Sequence, residues 1–408
     1  MKKYLVGGAV RDRLLKFPVT ERDWVVVGET PETMTSLGYQ SVGKDFPVFL
    51  HPDTHEEYAL ARTERKISPG YTGFSVHASP DISLEQDLLR RDLTINAMAE
   101  DDSGNLTDPF NGQRDLEDRL LRHVSPAFSE DPVRILRVAR FAARYAHLGF
   151  KVANETQDLM KKMVACGEVD ALVAERVWVE LEKTLGEQSP WVFFQILRDC
   201  NALVCLFPEI DRLFGVPQPA CYHPEIDTGI HTLMVLEQAA KLSKKPVVRF
   251  AALTHDLGKG LTPSENWPSH RGHEKTGIEA LKALCDRLKA PKAYRKLAEK
   301  VMRFHTHCHR AMELKPATLV DTLYQLDTLR QPESLEDFLL ACKADMQGRT
   351  GFEDRVYPQE EYFQDAQKAV NAITVDDIKT PNLKGKEIGQ ELRILRIDAV
   401  RKLLQNLR

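Results

Sequence analysis

Apolar positions fall into two regimes along this chain. Up to about residue 120 they come in short runs separated by turns. Tyr4-Leu5-Val6, Asp23–Val27, Val48–Leu50 and Tyr58–Arg62 are predicted strands. From about Asp131 to the C-terminus strand signals nearly vanish and apolar residues recur at helical spacing. Proline-containing breaks at Phe207-Pro208, Val216-Pro217-Gln218-Pro219, Thr262-Pro263 and Lys315-Pro316 divide that helical stretch into segments. Ser68-Pro69-Gly70-Tyr71-Thr72-Gly73 carries turn residues and predicts a mobile loop. No internal repeat is visible. The pattern predicts an α+β protein, with a mixed α/β head followed by an all-α remainder.

At 408 residues the chain is too long for one ordinary core and predicts two to four domains. A composition of 42% hydrophobic and 28% charged residues is that of a soluble globular protein. The net charge of −4 excludes a nonspecific polyanion binder, so contact with nucleic acid must rest on local basic patches. No apolar run approaches the ~20 residues that span a bilayer. The N-terminus reads as no signal peptide, since Leu5-Val6 runs straight into Gly-Gly and charged residues. Seven cysteines, odd in number and without a C-x-x-C pair, predict a reducing cytoplasm rather than a disulfide framework.

Three clusters carry candidate chemistry. The first is Tyr4-Leu5-Val6-Gly7-Gly8-Ala9-Val10-Arg11-Asp12, read as strand, tight turn and helix start, followed by Glu21-Arg22-Asp23. Glycines let backbone approach a ligand, and a helix N-terminus suits phosphate. On a strand Glu21 and Asp23 face the same way, with Arg22 opposite. Two carboxylates beside a phosphate cradle can hold a pair of divalent ions. Taken singly, a glycine pair after a strand is usually a plain turn and an acidic pair before one is usually solvated.

The second cluster is Arg90-Arg91-Asp92-Leu93-Thr94-Ile95-Asn96-Ala97. Guanidinium groups here can hold a triphosphate and the carboxylate a ribose hydroxyl; the bland alternative is an exposed, salt-bridged helix start. The third begins at Glu130-Asp131-Pro132, a favourable helix start. Arg134, Arg137, Arg140 and Arg144 then fall at steps of three, three and four on one face. No acidic residue stands four places after any of them, which favours a stripe facing a nucleotide over a solvated one.

Together these clusters resemble the head and neck of bacterial CCA-adding enzymes, class II tRNA nucleotidyltransferases of the polymerase-β-like superfamily. The matching stretches are Gly7-Gly8-Ala9-Val10-Arg11-Asp12, the acidic pair at 21 and 23, and the Arg90–Ala97 segment. Asp108-Pro109-Phe110-Asn111-Gly112 through Asp115-Leu116 and Glu130–Arg137 follow in the same order. The resemblance runs on to Lys384-Gly385-Lys386-Glu387-Ile388, nearly the whole chain. It implies attack of a tRNA 3′-OH on the α-phosphate of CTP or ATP, with Mg²⁺ held by Glu21 and Asp23. Gly8 and Arg11 would contact nucleotide phosphates, and Arg91 with Asp92 the triphosphate and ribose. Asp131 and Arg134 would read the base, supported by Arg137 and Arg140. Cytosine and adenine both show an exocyclic amine beside a ring acceptor, which a carboxylate and a guanidinium match; uracil and guanine reverse that order. One residue departs from the family's usual Asp-x-Asp, because Glu21 stands first, and Mg²⁺ tolerates poor octahedral geometry badly. Glu57 is a candidate third acid.

Eight of the thirteen histidines lie between His223 and His309. His231, the His255-Asp256 pair at the end of an apolar helix, and Asp345 stand in an order that resembles the HD-type phosphohydrolases. By that resemblance His231, His255, Asp256 and Asp345 are ligands for Ni²⁺ or another divalent transition metal, with His255 and Asp256 catalytic and His270, His273 and His305 weaker candidates. The implied activities are phosphatase, 2′-nucleotidase and 2′,3′-cyclic phosphodiesterase. The whole reading divides the chain into a head (1–122), a helical neck (123–222), an HD body (223–330) and a helical tail (331–408). Expected partners are tRNA, CTP and ATP, with no membrane, for a cytoplasmic monomer or weak homo-oligomer. The alternatives are a bacterial poly(A) polymerase, or an RNA-binding HD phosphohydrolase whose polymerase site is silenced.

Overall fold

The computed structural model describes residues 1–42, 48–66 and 74–406, so the loop expected at Ser68–Gly73 lies outside the described residues. The chain divides into two compact units, Met1–Leu206 and Phe207–Arg408.

The first unit opens with a mixed seven-stranded sheet. Its strands are β1 (Lys2–Val6), β2 (Asp23–Val27), β3 (Gln40–Ser41), β4 (Val48–Leu50), β5 (Glu57–Leu60), β8 (Ala99–Glu100) and β9 (Leu106–Thr107), in the order β3-β4-β5-β2-β1-β8-β9. β1 runs antiparallel to β2, with Val6 opposite Asp23, and β2 runs parallel to β5, with Asp23 opposite Glu57. This register sets the glycine turn that follows Val6 beside the acidic start of β2. The alternation of a strand sends successive valines to opposite faces. Val25 packs with Val6, Ala61, Ile82, Leu88, Ala97 and Ala99, while Val26 packs with Met34, Tyr39, Phe49, Tyr58 and Leu60.

Two local expectations are corrected. The predicted strand Tyr58–Arg62 is two elements that break at Ala61. β5 ends at Leu60 in the main sheet, and Arg62–Lys66 (β6) pairs with Phe74–Ala78 (β7) in a separate hairpin. Glu21 lies ahead of β2, which begins at Asp23, so strand alternation does not govern its direction.

Helices complete this unit. The helix Val133–Tyr145 packs on Ala174–Gly186 and Pro190–Asp199. Its start follows the expected logic, since Asp131 Oδ1 accepts from the Val133 N–H at 3.1 Å. Ile135, Leu136, Val138, Ala139, Phe141, Ala142 and Ala143 are buried along it, as are Arg134 and Arg140, whereas Arg137 and Arg144 stay partly exposed.

The second unit has helices and no strand among its described residues. Thr228–Leu242 is capped by Asp227, whose side chain accepts from the Ile230 N–H at 2.9 Å. It packs on Pro246–Thr254 and on Ser334–Gln347, and Lys292–His309 packs on both of the latter helices. Prolines occupy first-turn positions at Pro208 and Pro316, two of the expected breaks, and also at Pro246. No described helix is long and apolar enough to cross a membrane, and all seven cysteines are free.

Candidate active sites

The first site is a cleft of about 960 Å³ in the first unit. Gly7 precedes the seven-residue helix Gly8–Leu14 with φ +67°, a conformation that side-chain-bearing residues avoid. A Cβ there would also sit 3.0 Å from the Arg91 guanidinium. The turn therefore needs glycine for its backbone, and a side chain there would press on the arginine beside it. The cleft is lined by Gly8, Arg11, Glu21, Asp23, Arg91, Asp92, Asp131, Arg134, Arg137 and Arg140, so every head and neck residue singled out above for nucleotide or Mg²⁺ borders one space. Arg144 lines it too. Glu57 does not; it stands beside Asp23 in the register of β5 and β2.

The charges are organised in pairs. Burial raises the Asp23 carboxyl above its ordinary pKa; Arg91 opposes that and Glu21 adds to it. Two carboxylates in one cleft, one resisting ionisation, form a hard-oxygen donor set that a divalent cation relieves. Asp92 shows the opposite balance. Burial alone would raise it, yet Arg137 at 2.7 Å, Asn96 at 3.0 Å and the Leu93 N–H at 2.8 Å hold it well below the carboxylate range. Arg90 and Arg91 both pair with buried Asp87, at 2.9 and 3.3 Å. They lie at the end of the helix Leu84–Leu89, with Arg90 as its C-cap, which corrects the helix-start alternative for this segment.

The arginine stripe faces the cleft, but each member also has a distant partner. Arg137 meets Asp92, Arg140 meets Glu180 at 2.7 Å and Glu187 at 3.6 Å, and Arg144 meets Asp12 at 3.4 Å. Arg134 donates to the carbonyls of Ala127 at 3.0 Å and Arg90 at 2.7 Å. Asp131 accepts two bonds from Arg176, at 3.1 and 2.7 Å. Sequence reasoning missed Arg176, Glu180, Lys183 and Glu187, all in the cleft lining. Arg176, Glu180 and Lys183 share a face of the helix Ala174–Gly186 at steps of four and three, which was the available signal, and Glu187 caps its end.

The second site lies in the second unit. His231, His255 and Asp345 bring ligand atoms within 4.8 Å of one another, as do Asp256, His273 and His305. These side chains are buried apart from His273, which is 10% exposed. His255 and Asp256 are each 1% exposed, and neither Nε2 of His255 nor Oδ1 of Asp256 makes a well-aligned hydrogen bond among the described residues. Burial disfavours the charged His255, yet Asp256 and Asp345 outweigh it and raise its pKa, so this pocket calls for positive charge. Asp345 is held well below the carboxylate range, against burial, chiefly by His309 and His255. Burial pushes His305 down to about 3, which keeps its imidazole neutral. An orphaned nitrogen, an orphaned carboxylate oxygen and neutral imidazole suit a divalent transition metal.

His270 is not part of this cluster. Its Nε2 lies 2.9 Å from the Pro217 carbonyl. Conversely, Glu225 and His309 were not foreseen there. Glu225 lies 2.9 Å from His231 Nδ1, and His309 Nε2 lies 2.6 Å from Asp345. Gly258 in the sequence His255-Asp256-Leu257-Gly258 explains how Asp256 and His273 come together. A Cβ on it would fall 2.0 Å from the His273 carbonyl oxygen, so only glycine lets the two segments touch.

Family models match for the poly A polymerase head domain (residues 3–122), the HD domain (228–345) and a probable RNA and SrmB-binding site of polymerase A (149–214). The multifunctional CCA protein of Thioalkalivibrio sulfidiphilus is 65% identical over 403 residues, covering 99% of this chain and 98% of that one. That of Methylococcus capsulatus is 66% identical over 404 residues, covering 99% and 95%. Among solved structures, a CCA-adding enzyme in an apo form superposes with a TM-score of 0.65 at 21% identity, over 100% of this chain and 92% of the other. The Thermotoga maritima CCA-adding enzyme complexed with tRNA gives 0.62 at 20% identity, over 100% and 92%. At such identities the likeness is one of fold.

Proposed function

Because the chain belongs to the multifunctional CCA proteins, enzymes that join a nucleotidyltransferase head to an HD phosphohydrolase domain, we propose that it builds and repairs the 3′-terminal CCA of tRNA in the cytoplasm, taking CMP, CMP and AMP from CTP and ATP with release of pyrophosphate. The carrying observation is the single cleft shared by Glu21, Asp23, Arg91, Asp92, Asp131 and Arg134.

In this reading Gly8, Arg11 and Arg91 receive the triphosphate, and Asp92 faces the ribose. Asp131 accepts from the exocyclic amine of cytosine or adenine while Arg134 donates to the ring nitrogen. Arg176 fixes the direction of Asp131, and the pairs Arg137–Asp92 and Arg140–Glu180 keep the stripe rigid, so the base meets groups already in place. Glu21 and Asp23 would hold Mg²⁺, which when bound supplies charge stabilisation for phosphoryl transfer. At the second site His231, His255, Asp256 and Asp345 would hold Ni²⁺ or another divalent transition metal, which supplies activated water for phosphatase, 2′-nucleotidase and 2′,3′-cyclic phosphodiesterase chemistry. The roles assigned to head, neck, HD body and tail belong to the same proposal, although Asp345 reaches the cluster from beyond residue 330. We take the chain to act as a monomer or weak homo-oligomer.

The match to a poly A polymerase head keeps one rival reading, a poly(A) polymerase. Incubation of a tRNA lacking its CCA end with CTP and ATP separates the two. Growth is expected to stop after three nucleotides; a long A tail would establish the rival. A silenced polymerase site is tested through Glu21. Glu21→Asp shortens the side chain by one methylene toward the family's usual residue, and is expected to keep or raise CMP incorporation. A large loss in that variant, measured as single-turnover incorporation, would mean that the cleft is built around glutamate.

A further inference from the structure

Lys259 and Arg349 each reach a carboxylate proposed as a metal ligand in the second unit, but they are held differently. Lys259 Nζ lies 2.5 Å from Asp256 Oδ2 and 2.5 Å from Gln218 Oε1, so short contacts fix it. Arg349 is engaged loosely. Its Nη2 lies 3.5 Å from Asp345 Oδ1, beyond the ~2.7–2.9 Å of a well-made charge-assisted hydrogen bond. Its Nε is buried and makes no hydrogen bond among the described residues, although the side chain is only 13% exposed.

The backbone on both sides of this arginine is tied to the cluster. Arg349 follows the helix Ser334–Gln347, whose C-cap is Gly348. The Gly348 carbonyl lies 3.2 Å from His231 Nδ1. The Thr350 N–H donates to Glu225 Oε2 at 3.2 Å, and Glu225 Oε1 lies 2.9 Å from the same His231. Thr350 and Gly351 are exposed, so the guanidinium stands where the buried cluster meets solvent.

A buried N–H that has lost water without gaining a partner is costly. The Nε and Nη2 donors of an arginine form the edge that meets two oxygens of one oxyanion side by side. On Arg349 that edge is open at Nε and weakly used at Nη2. The nearby carboxylates of Asp345 and Glu225 repel an anion, and a guanidinium between them and solvent offsets that repulsion. Phosphomonoesters, 2′-nucleotides and 2′,3′-cyclic phosphates all carry a phosphate with at least two non-bridging oxygens.

We propose that Arg349 binds the substrate phosphate at the HD site, with its Nε–Nη2 edge taking two non-bridging oxygens. The proposal rests on the HD reading and deepens it, by naming the residue that selects a phosphate ester.

The test uses the full, tag-free chain loaded with Ni²⁺. Arg349→Gln is expected to raise both the KM for a 2′,3′-cyclic phosphate and the inhibition constant of inorganic phosphate by ~10–100-fold, the worth of a hydrogen bond to a charged group. Bound nickel, measured by elemental analysis, and CCA addition are expected to match the wild type. Arg349→Lys keeps the charge but not the fork, and is expected to recover only part of the loss. In parallel, wild-type crystals soaked with tungstate, a phosphate mimic, are expected to show the oxyanion on the Nε–Nη2 edge, which needs no variant to fold. Unchanged phosphate inhibition in Arg349→Gln, full recovery by lysine, or tungstate bound away from the guanidinium each overturns the proposal. Loss of nickel from Arg349→Gln would make the residue a brace for Asp345 and overturn it too. A wild-type chain with neither bound nickel nor hydrolysis sinks the HD reading itself.

Discussion

Asp23→Ala is expected to lower CMP incorporation into tRNA by at least ~10²–10³-fold, the range seen when one preorganised charge-stabilising group is removed from an active site. Asp23 is the first residue of β2, held opposite Val6 and therefore next to the glycine turn. Its carboxyl is raised by burial and by Glu21, and Arg91 partly compensates. Removing it leaves Glu21 alone of the pair proposed for Mg²⁺, since Asp92, Asp131, Glu180 and Glu187 are taken up by arginines, and that is too little free negative charge to retain Mg²⁺ beside a triphosphate. The substitution should leave the fold in place, because Asp23 is not part of either apolar cluster that packs the sheet. A gel assay with labelled CTP and a tRNA lacking its CCA end reads the effect. Turnover near that of the wild type would remove Asp23 from the mechanism.

His255→Ala is expected to abolish metal-dependent hydrolysis of phosphomonoesters and 2′,3′-cyclic phosphates while leaving CCA addition unchanged. The loss should exceed ~10–100-fold, the usual cost of removing a residue that merely supports a metal ligand. His255 is buried at the end of the apolar helix Pro246–Thr254, with Asp256 at 3.1 Å and Asp345 at 3.7 Å. Alanine removes the nitrogen aimed at the ion and leaves two buried carboxylates with less opposing charge. Cleft and cluster draw on different units of the chain, so the effect should stay with the hydrolysis. A thermal melt of the variant separates lost chemistry from lost folding, and loss of both activities together would point to a structural role for His255.

What the sequence revealed was whatever lies close along the chain. The run Leu5-Val6-Gly7-Gly8 gives both the strand and its turn, because a period of two and a left-handed backbone position leave local marks. The arginine stripe was legible for the same reason, since steps of three and four share a helix face. Its partners were not. Asp92, Glu180 and Asp12 lie 45, 40 and 132 positions from the arginines they meet, so the missing i+4 acids gave no warning of tertiary ones. Glu21 failed in the opposite sense: alternation was applied two residues beyond the strand that supports it.

The histidines divide along the same line. His231, the His255-Asp256 pair and Asp345 were recognised by their order, while nothing in the sequence ranked His273 and His305 above His270. The difference is tertiary. Gly258 allows the segment after Asp256 to press on the start of the His273–Leu288 helix, whereas His270 is turned to the Pro217 carbonyl.

The central claim is that one chain carries two chemistries in two separate places. Its most direct measurement assays wild type, Asp23→Ala and His255→Ala side by side for CMP incorporation into tRNA and for hydrolysis of a 2′,3′-cyclic phosphate. The account predicts a clean exchange, in which Asp23→Ala loses only incorporation and His255→Ala loses only hydrolysis. Correctly folded variants that each lose both activities, or each keep both, would contradict it.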